Sequence, residues 1–204
     1  GDLNDICPSC YKSLQSYYRK LDAYVRFILP EGVPSSPPYV LKLSDLERDH
    51  LSLAGSKSVN LGRIGRKLDL PVPDGFVITT HACQRLIAAN DLREFTNDAL
   101  SGIDIDDPAS VDDASEKLRR AIGEAHVPDD MAEAVINAFH RLKKDGGDLK
   151  VAIRSSAVGE DDDSSFAGQF RSIMDVEEEG LLDAYKEILA AKYRPRALHY
   201  RISV

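Results

Sequence analysis

The sequence predicts a mixed domain, α+β or α/β, in which a few short strands pack against many helices. Three observations support this prediction: short apolar runs typical of buried strands, longer segments with apolar residues at helical spacing, and no repeat of fixed period. The chain has 204 residues, a length typical of one compact domain or of one domain with an appendage. Its composition, 43% hydrophobic and 29% charged, provides enough apolar material for a core.

The appendage is predicted at the N-terminus, where residues 9–29 have apolar side chains at helical spacing. Residues 30–38 hold four prolines and one glycine, which is typical of a stiff, extended linker. We therefore divide the chain into an N-terminal helix and linker, residues 1–38, and a main domain, residues 39–204. The amphipathic helix is also a candidate surface for a homodimer. Its apolar residues are Leu14, Tyr17, Tyr18, Leu21, Val25 and Ile28.

The main domain alternates short strand candidates with amphipathic helices. In the first helix, Val59, Leu61, Ile64 and Leu68 are predicted to share one side. Loops are predicted over Ser101–Pro108 and Gly159–Gln169, and a turn over Asp145–Asp148. Strands are predicted at Tyr39–Leu43, Gly75–Thr79, Leu149–Arg154 and Arg171–Val176. Helices are predicted at Ser56–Leu68, from a Thr80 cap to Ala89, and at Leu92–Leu100, Val111–His126, Asp129–Lys144 and Gly180–Tyr193.

The net charge argues against one class of partner, and the cysteine count indicates the cellular compartment. The net charge is −8 and no basic stripe is evident, which argues against nucleic acid as a partner. No apolar run is long enough to span a membrane, and no signal peptide is evident. Gly1 suggests that the sequence is a piece of a longer protein. Three cysteines, an odd and low number, fit a reducing cytoplasm. Cys7 and Cys10 form a CxxC that is half a zinc site, a redox pair or two ordinary thiols.

Three segments carry residue types suited to phosphate. In Gly55–Gly62, a glycine precedes Lys57 at the predicted start of a helix, where N–H groups and the helix dipole favour an anion. The alternative is a glycine turn beside a solvated lysine. In Val151–Ala157, a predicted strand ends in Arg154 and two serines, and arginine grips phosphate oxygens in pairs. The alternative is an arginine paired with a nearby carboxylate.

The third segment, Ser164–Gln169, has small residues around Gly168, which let backbone N–H groups approach a polyphosphate closely. The acidic run Glu160–Asp163 precedes it. This run is either a solvated loop or a contribution to the environment of a Mg²⁺ ion.

Together these segments resemble a known family. Gly55–Gly62 is similar to its GGKGxNLG segment, and Leu70–Thr80 to its lPVPpGFviTt segment. Val151–Ala157 with the following Glu-Asp pair resembles VRSSAxxED, and Ser165–Gln169 matches SFAGQ. The family is the PEP/pyruvate-binding ATP-grasp domain of phosphoenolpyruvate synthase, pyruvate phosphate dikinase, rifampin phosphotransferase and glucan water dikinase. The resemblance covers roughly Asp45–Val204 in four ordered motifs, and residues 1–40 carry none.

The resemblance implies an α+β fold, the N-terminal portion of an ATP-grasp domain with a small mixed or antiparallel sheet and packed helices. It places Lys57 and Arg154 on the ATP phosphates, with Arg154 as the catalytic candidate. Thr79 is expected beside the nucleotide cleft, and Ser155 at the phosphates. Gly168 and Gln169 are expected in the loop that covers them. Two departures are Ser56, where the family usually has a second glycine, and a somewhat shorter stretch before the SFAGQ segment.

The implied activity belongs to a longer protein. It would transfer a phosphoryl group from ATP to a histidine in another domain and then to pyruvate or another acceptor. The acidic Mg²⁺ ligands are expected mostly outside this chain, which we expect to bind ATP weakly and to show no turnover. A different class of function is a non-catalytic, ATP-grasp-like regulatory module in a multidomain signalling protein. The histidines of this chain are expected to be ordinary residues.

Overall fold

The computed structural model describes residues 37–68, 70–143, 148–156 and 172–203. These residues form two antiparallel two-stranded sheets together with helices. The predicted α+β class is confirmed, and the small sheets are antiparallel. The helix at residues 9–29, the CxxC pair, most of the proline-rich linker and residues 145–147 of the predicted turn lie outside the described residues. The division at residue 38 therefore stays a prediction.

Each predicted strand is present, with shorter ends. Strand β1, Val40–Lys42, pairs with β2, Phe76–Ile78, so that Leu41 lies opposite Val77. Strand β3, Val151–Arg154, pairs with β4, Ser172–Val176, so that Arg154 lies opposite Ser172. The second pairing shifts register between Val151 and Ile153, and Asp175 in β4 has a positive φ of 55°. Such a shift is typical of a β-bulge.

Each helix predicted between Ser56 and Tyr193 is present, with moved ends. The fourth begins at Pro108 rather than Val111, because the Asp107 carboxylate accepts a hydrogen bond from the N–H of Ala109 and caps it. The last helix was not predicted. The helices are α1, Leu51–Leu68; α2, Thr80–Ala89; α3, Leu92–Ser101; α4, Pro108–Glu124; α5, Asp129–Leu142; α6, Leu181–Ala191; and α7, Pro195–Ser203.

The predicted apolar side of α1 is partly wrong. Val59 is buried, with 1% of its surface exposed, but Leu61, Ile64 and Leu68 are 40%, 38% and 63% exposed. The buried face instead carries small residues, among them Ser58 and Gly62. Helical spacing identified a row of apolar residues correctly, but close packing of the neighbouring backbone selected the face with small side chains.

The core has a large helical part and two smaller parts beside the sheets. The helical part draws on α2 to α7 and is centred on residues such as Leu86, Leu118 and Met131. A second part packs α5 and α6, through Phe139 and Leu181, against β3 and β4. The third lies between α1 and the β1–β2 sheet and contains Leu46, Ala54 and Val59. Both strand pairs are thus held against helices, which fixes the positions of their ends.

Within the described ranges, no helix combines the length and apolar character needed to cross a bilayer.

Candidate phosphate-binding site

Helix α1 is broken at Gly55. The residue has φ 75° and ψ 158°, far from helical values, so the chain leaves one short helical turn and starts a new helix at Ser56. Side chains other than glycine rarely adopt such a conformation. The break therefore creates a second helix N-terminus inside α1, and Lys57 lies in its first turn. Among the described residues, Gly55 is the only glycine with a positive φ. Ser56, where the family motif usually has a second glycine, does not have a positive φ, so a serine fits there without backbone strain.

The end of β3 lies against this break. A Cβ atom added to Gly55 would be 2.5 Å from the carbonyl oxygen of Ser156 and 2.8 Å from its Oγ. The Ser156 hydroxyl donates a hydrogen bond to the Ala54 carbonyl oxygen at 2.9 Å and accepts one from the Ser58 N–H at 3.2 Å. Two segments separated by about a hundred residues in sequence, and singled out independently for phosphate, are therefore in direct contact.

Both predicted cations belong to this contact region. Lys57 is exposed and immediately precedes Ser58. Arg154 is the last residue of β3, where alternation turns Ile153 toward the interior and leaves Arg154 exposed. Within the described part of the chain, no carboxylate forms an ion pair with Arg154. The alternative interpretation, an arginine neutralised by a nearby acid, therefore finds no support in these residues.

Two serine hydroxyls beside the contact are buried. The Oγ atoms of Ser56 and Ser155 are inaccessible to solvent and have no hydrogen-bond partner among the described residues. Burying an unpaired hydroxyl costs roughly 1–3 kcal/mol, so such atoms are uncommon in native proteins. Both hydroxyls are enclosed by protein atoms, so the features that fit phosphate here are the charges of Lys57 and Arg154 and the helix N-terminus.

Further contacts hold α1 in place. A Cβ atom at Gly62 would collide with the Leu43 carbonyl oxygen, so the turn after β1 crosses the helix there. The Thr80 hydroxyl donates to the Ser52 carbonyl oxygen at 2.9 Å, which ties α2 to the turn before Gly55. Arg66 donates to the Leu46 carbonyl oxygen and pairs with Glu47 at 2.6 Å. Lys57 is consequently carried by a helix that is held at several points along its length.

Thr79 has a structural position. It is 1% exposed, and its hydroxyl donates to the Pro38 carbonyl oxygen at 2.8 Å while accepting from the Ala82 N–H at 3.4 Å. It is thus the cap of α2, one residue before the predicted Thr80 cap. The described contacts do not bring Thr79 together with Gly55 and Ser156, and a role beside the nucleotide stays a prediction.

The remaining predicted site residues, Gly168 and Gln169, lie outside the described residues, as does the acidic run before them. In the part of the chain that is described, no three His, Cys, Asp or Glu side chains form a group able to hold a metal ion. Sequence reasoning missed the role of Ser156. Its place in the motif was visible, but its partner, the segment around Gly55, could be identified only from the folded chain.

Comparison with known proteins identifies the family of this chain. Residues 51–204 match the family described as the pyruvate phosphate dikinase AMP/ATP-binding domain. The chain belongs to this family. It is 33% identical over 170 residues to a probable phosphoenolpyruvate synthase of Methanocaldococcus jannaschii, an alignment covering 81% of this chain and 14% of that protein.

Two further relatives are a rifampicin phosphotransferase and a second phosphoenolpyruvate synthase. A rifampicin phosphotransferase of Bacillus subtilis is 32% identical over 165 residues, covering 80% of this chain and 19% of the relative. A phosphoenolpyruvate synthase of Neisseria meningitidis is 30% identical over 171 residues, covering 80% and 22%. The chain thus spans about a fifth or less of the length of these relatives. It corresponds to the nucleotide-binding part of larger proteins.

Proposed function

We propose that this chain provides the phosphate-binding part of the ATP site of a phosphotransferase. The observation that carries the proposal is the contact between the Gly55 break and Ser156, which joins the segment of Lys57 to the segment of Arg154. The family match over residues 51–204 supports ATP as the ligand.

In this proposal each residue type has a distinct task. Lys57 contributes a point charge at a helix N-terminus, and Arg154 a planar fork for two phosphate oxygens. Ser155 is proposed to lie at the phosphates, as the family resemblance implies. Positioning and charge neutralisation of this kind account for most of the catalysis in phosphoryl transfer, so Arg154 is also the catalytic candidate. Gly168 and Gln169 are proposed to cover the phosphates.

The reaction of the whole protein is proposed as transfer of a phosphoryl group from ATP to a histidine outside this chain and then to pyruvate. The names of the synthase relatives support pyruvate as the acceptor. Mg²⁺, when bound, would neutralise charge on the phosphates, and we place its acidic ligands mostly outside this chain. The low, odd cysteine count supports a cytoplasmic location.

A related antibiotic phosphotransferase is a second candidate, because the rifampicin phosphotransferase is nearly as similar as the synthases. The two differ in acceptor and share the ATP site. Offering pyruvate and rifampicin separately to the full-length protein with ATP distinguishes them by which product acquires phosphate. A regulatory module without catalysis would phosphorylate neither acceptor and would retain no phosphate on histidine.

The chain alone tests the binding proposal. Backbone amide resonances are followed by NMR while ATP is added, and the largest shifts are expected at residues 55–58 and 154–156. Binding is expected to be weak and ATP to remain unconsumed, because a large part of the site is proposed to lie elsewhere. Shifts confined to other surfaces would contradict the assignment, and ATP hydrolysis by the pure chain would contradict the proposed division of the site.

A further inference from the structure

The Ser156 hydroxyl spans the break in α1. It donates to the Ala54 carbonyl oxygen at 2.9 Å and accepts from the Ser58 N–H at 3.2 Å, so its partners lie on either side of Gly55. These two hydrogen bonds use the one proton of the hydroxyl and one of its two lone pairs. Because both bonds reach across from the end of β3, they fix the new helix N-terminus relative to the strand.

This hydroxyl replaces a cap that the local sequence does not provide. The N–H groups in the first turn of a helix have no partner within the helix, and a Ser, Thr, Asp or Asn side chain just before the helix usually satisfies one of them. Gly55 occupies that position and has no side chain. A larger residue is excluded there, since its Cβ would be 2.5 Å from the Ser156 carbonyl oxygen. The cap is therefore supplied by Ser156, which follows β3 by two residues.

We infer that Ser156 is a positioning residue that sets the spacing between Lys57 and Arg154; the inference rests on the proposed phosphate site. Lys57 immediately precedes Ser58, and Arg154 lies two residues before Ser156, so the Ser58–Ser156 hydrogen bond joins near neighbours of the two cations. Sub-ångström placement matters for groups that grip one polyphosphate. Ser156 thus acts through the cations and not by touching the phosphates.

The test uses inorganic tripolyphosphate, which probes the phosphate site without adenine. Ser156→Ala is expected to weaken its binding about tenfold, the effect of losing a hydrogen bond that organises a site. Ser156→Thr keeps the hydroxyl and is expected to restore binding. The control Asp107→Ala removes the 3.0 Å hydrogen bond that caps α4, outside the candidate site, and is expected to lower stability while leaving binding unchanged.

A double-mutant cycle separates positioning from general loosening. If Ser156 acts through Lys57, the double variant Ser156→Ala with Lys57→Ala binds no more weakly than Lys57→Ala alone. Fully additive losses would overturn the inference, as would equal binding by Ser156→Ala and Asp107→Ala. Should Ser156→Ala fail to fold, Ser156→Cys, a weaker acceptor of similar volume, is expected to bind between wild type and Lys57→Ala.

Different results would refute the positioning role of Ser156 and the proposed phosphate site. Weakened binding in Lys57→Ala and Arg154→Ala, with Ser156→Ala unchanged, refutes the positioning role and leaves the phosphate site standing. Unchanged binding in all three variants refutes the site itself.

Discussion

Replacing Gly55 by alanine tests the break in α1. With φ at 75°, an alanine would adopt a backbone conformation that costs roughly 1–3 kcal/mol. Its Cβ would also lie 2.5 Å from the Ser156 carbonyl oxygen and 2.8 Å from Oγ, forcing the two segments apart. Losing the two hydrogen bonds of Ser156 adds about 1–3 kcal/mol. We therefore expect Gly55→Ala to lower the free energy of unfolding by about 2–6 kcal/mol.

Urea denaturation followed by circular dichroism measures this change. For a slope of about 2 kcal/mol/M, the midpoint should fall by roughly 1–3 M. Gly123→Ala is the matched control, because Gly123 lies in α4 and a Cβ there would meet nothing within 4 Å. Alanine in a helix interior is expected to stabilise by about 0.5–1 kcal/mol. If Gly55→Ala leaves the midpoint unchanged or raises it as Gly123→Ala does, the account of the break is wrong.

Three further predictions concern the scaffold. Gly62→Ala should destabilise in the same assay, since its Cβ would collide with the Leu43 carbonyl oxygen, and unchanged stability would show that the crossing is looser than described. Asp107→Ala should cost about 1 kcal/mol in thermal unfolding, while Asp107→Asn keeps the cap and most of the stability. A hydrogen bond from the Tyr39 hydroxyl at 2.8 Å lowers the pKa of Asp130. The pair therefore stabilises the fold at pH values above the ordinary carboxyl pKa, and this stabilisation is lost as the pH falls through the lowered pKa of Asp130. Tyr39→Phe should raise the Asp130 pKa in an NMR titration, and an unchanged pKa would assign the shift to another cause.

The local sequence pattern was sufficient to predict most helices and strands and to single out the motif residues. Apolar runs located the strands, and the arginine after Ile153 was correctly placed at a strand end. The exposed row on α1 was misjudged because the periodicity of apolar residues does not show which face a neighbouring segment covers. That choice depends on Gly62, which admits the turn after β1.

The cap from Ser156 escaped prediction for the same reason. The sequence showed a glycine before a lysine and a serine after an arginine, but nothing local connects residues that lie far apart in the chain. Only the folded chain shows that the helix after Gly55 has no local cap and that Ser156, just after β3, supplies one. Long-range contacts of this kind define the candidate site.

The most direct test of the central claim is the ATP affinity of this chain when each proposed cation is removed. A unit charge about 4 Å from a phosphate charge contributes about 1 kcal/mol to the interaction energy in bulk water, and about 4 kcal/mol at an effective dielectric near 20. Because Lys57 and Arg154 are exposed, Lys57→Ala and Arg154→Ala should each weaken binding about tenfold. The controls Lys117→Ala and Arg119→Ala on α4 should leave affinity unchanged. Equal ATP affinity in all four variants and the wild type would contradict the phosphate site.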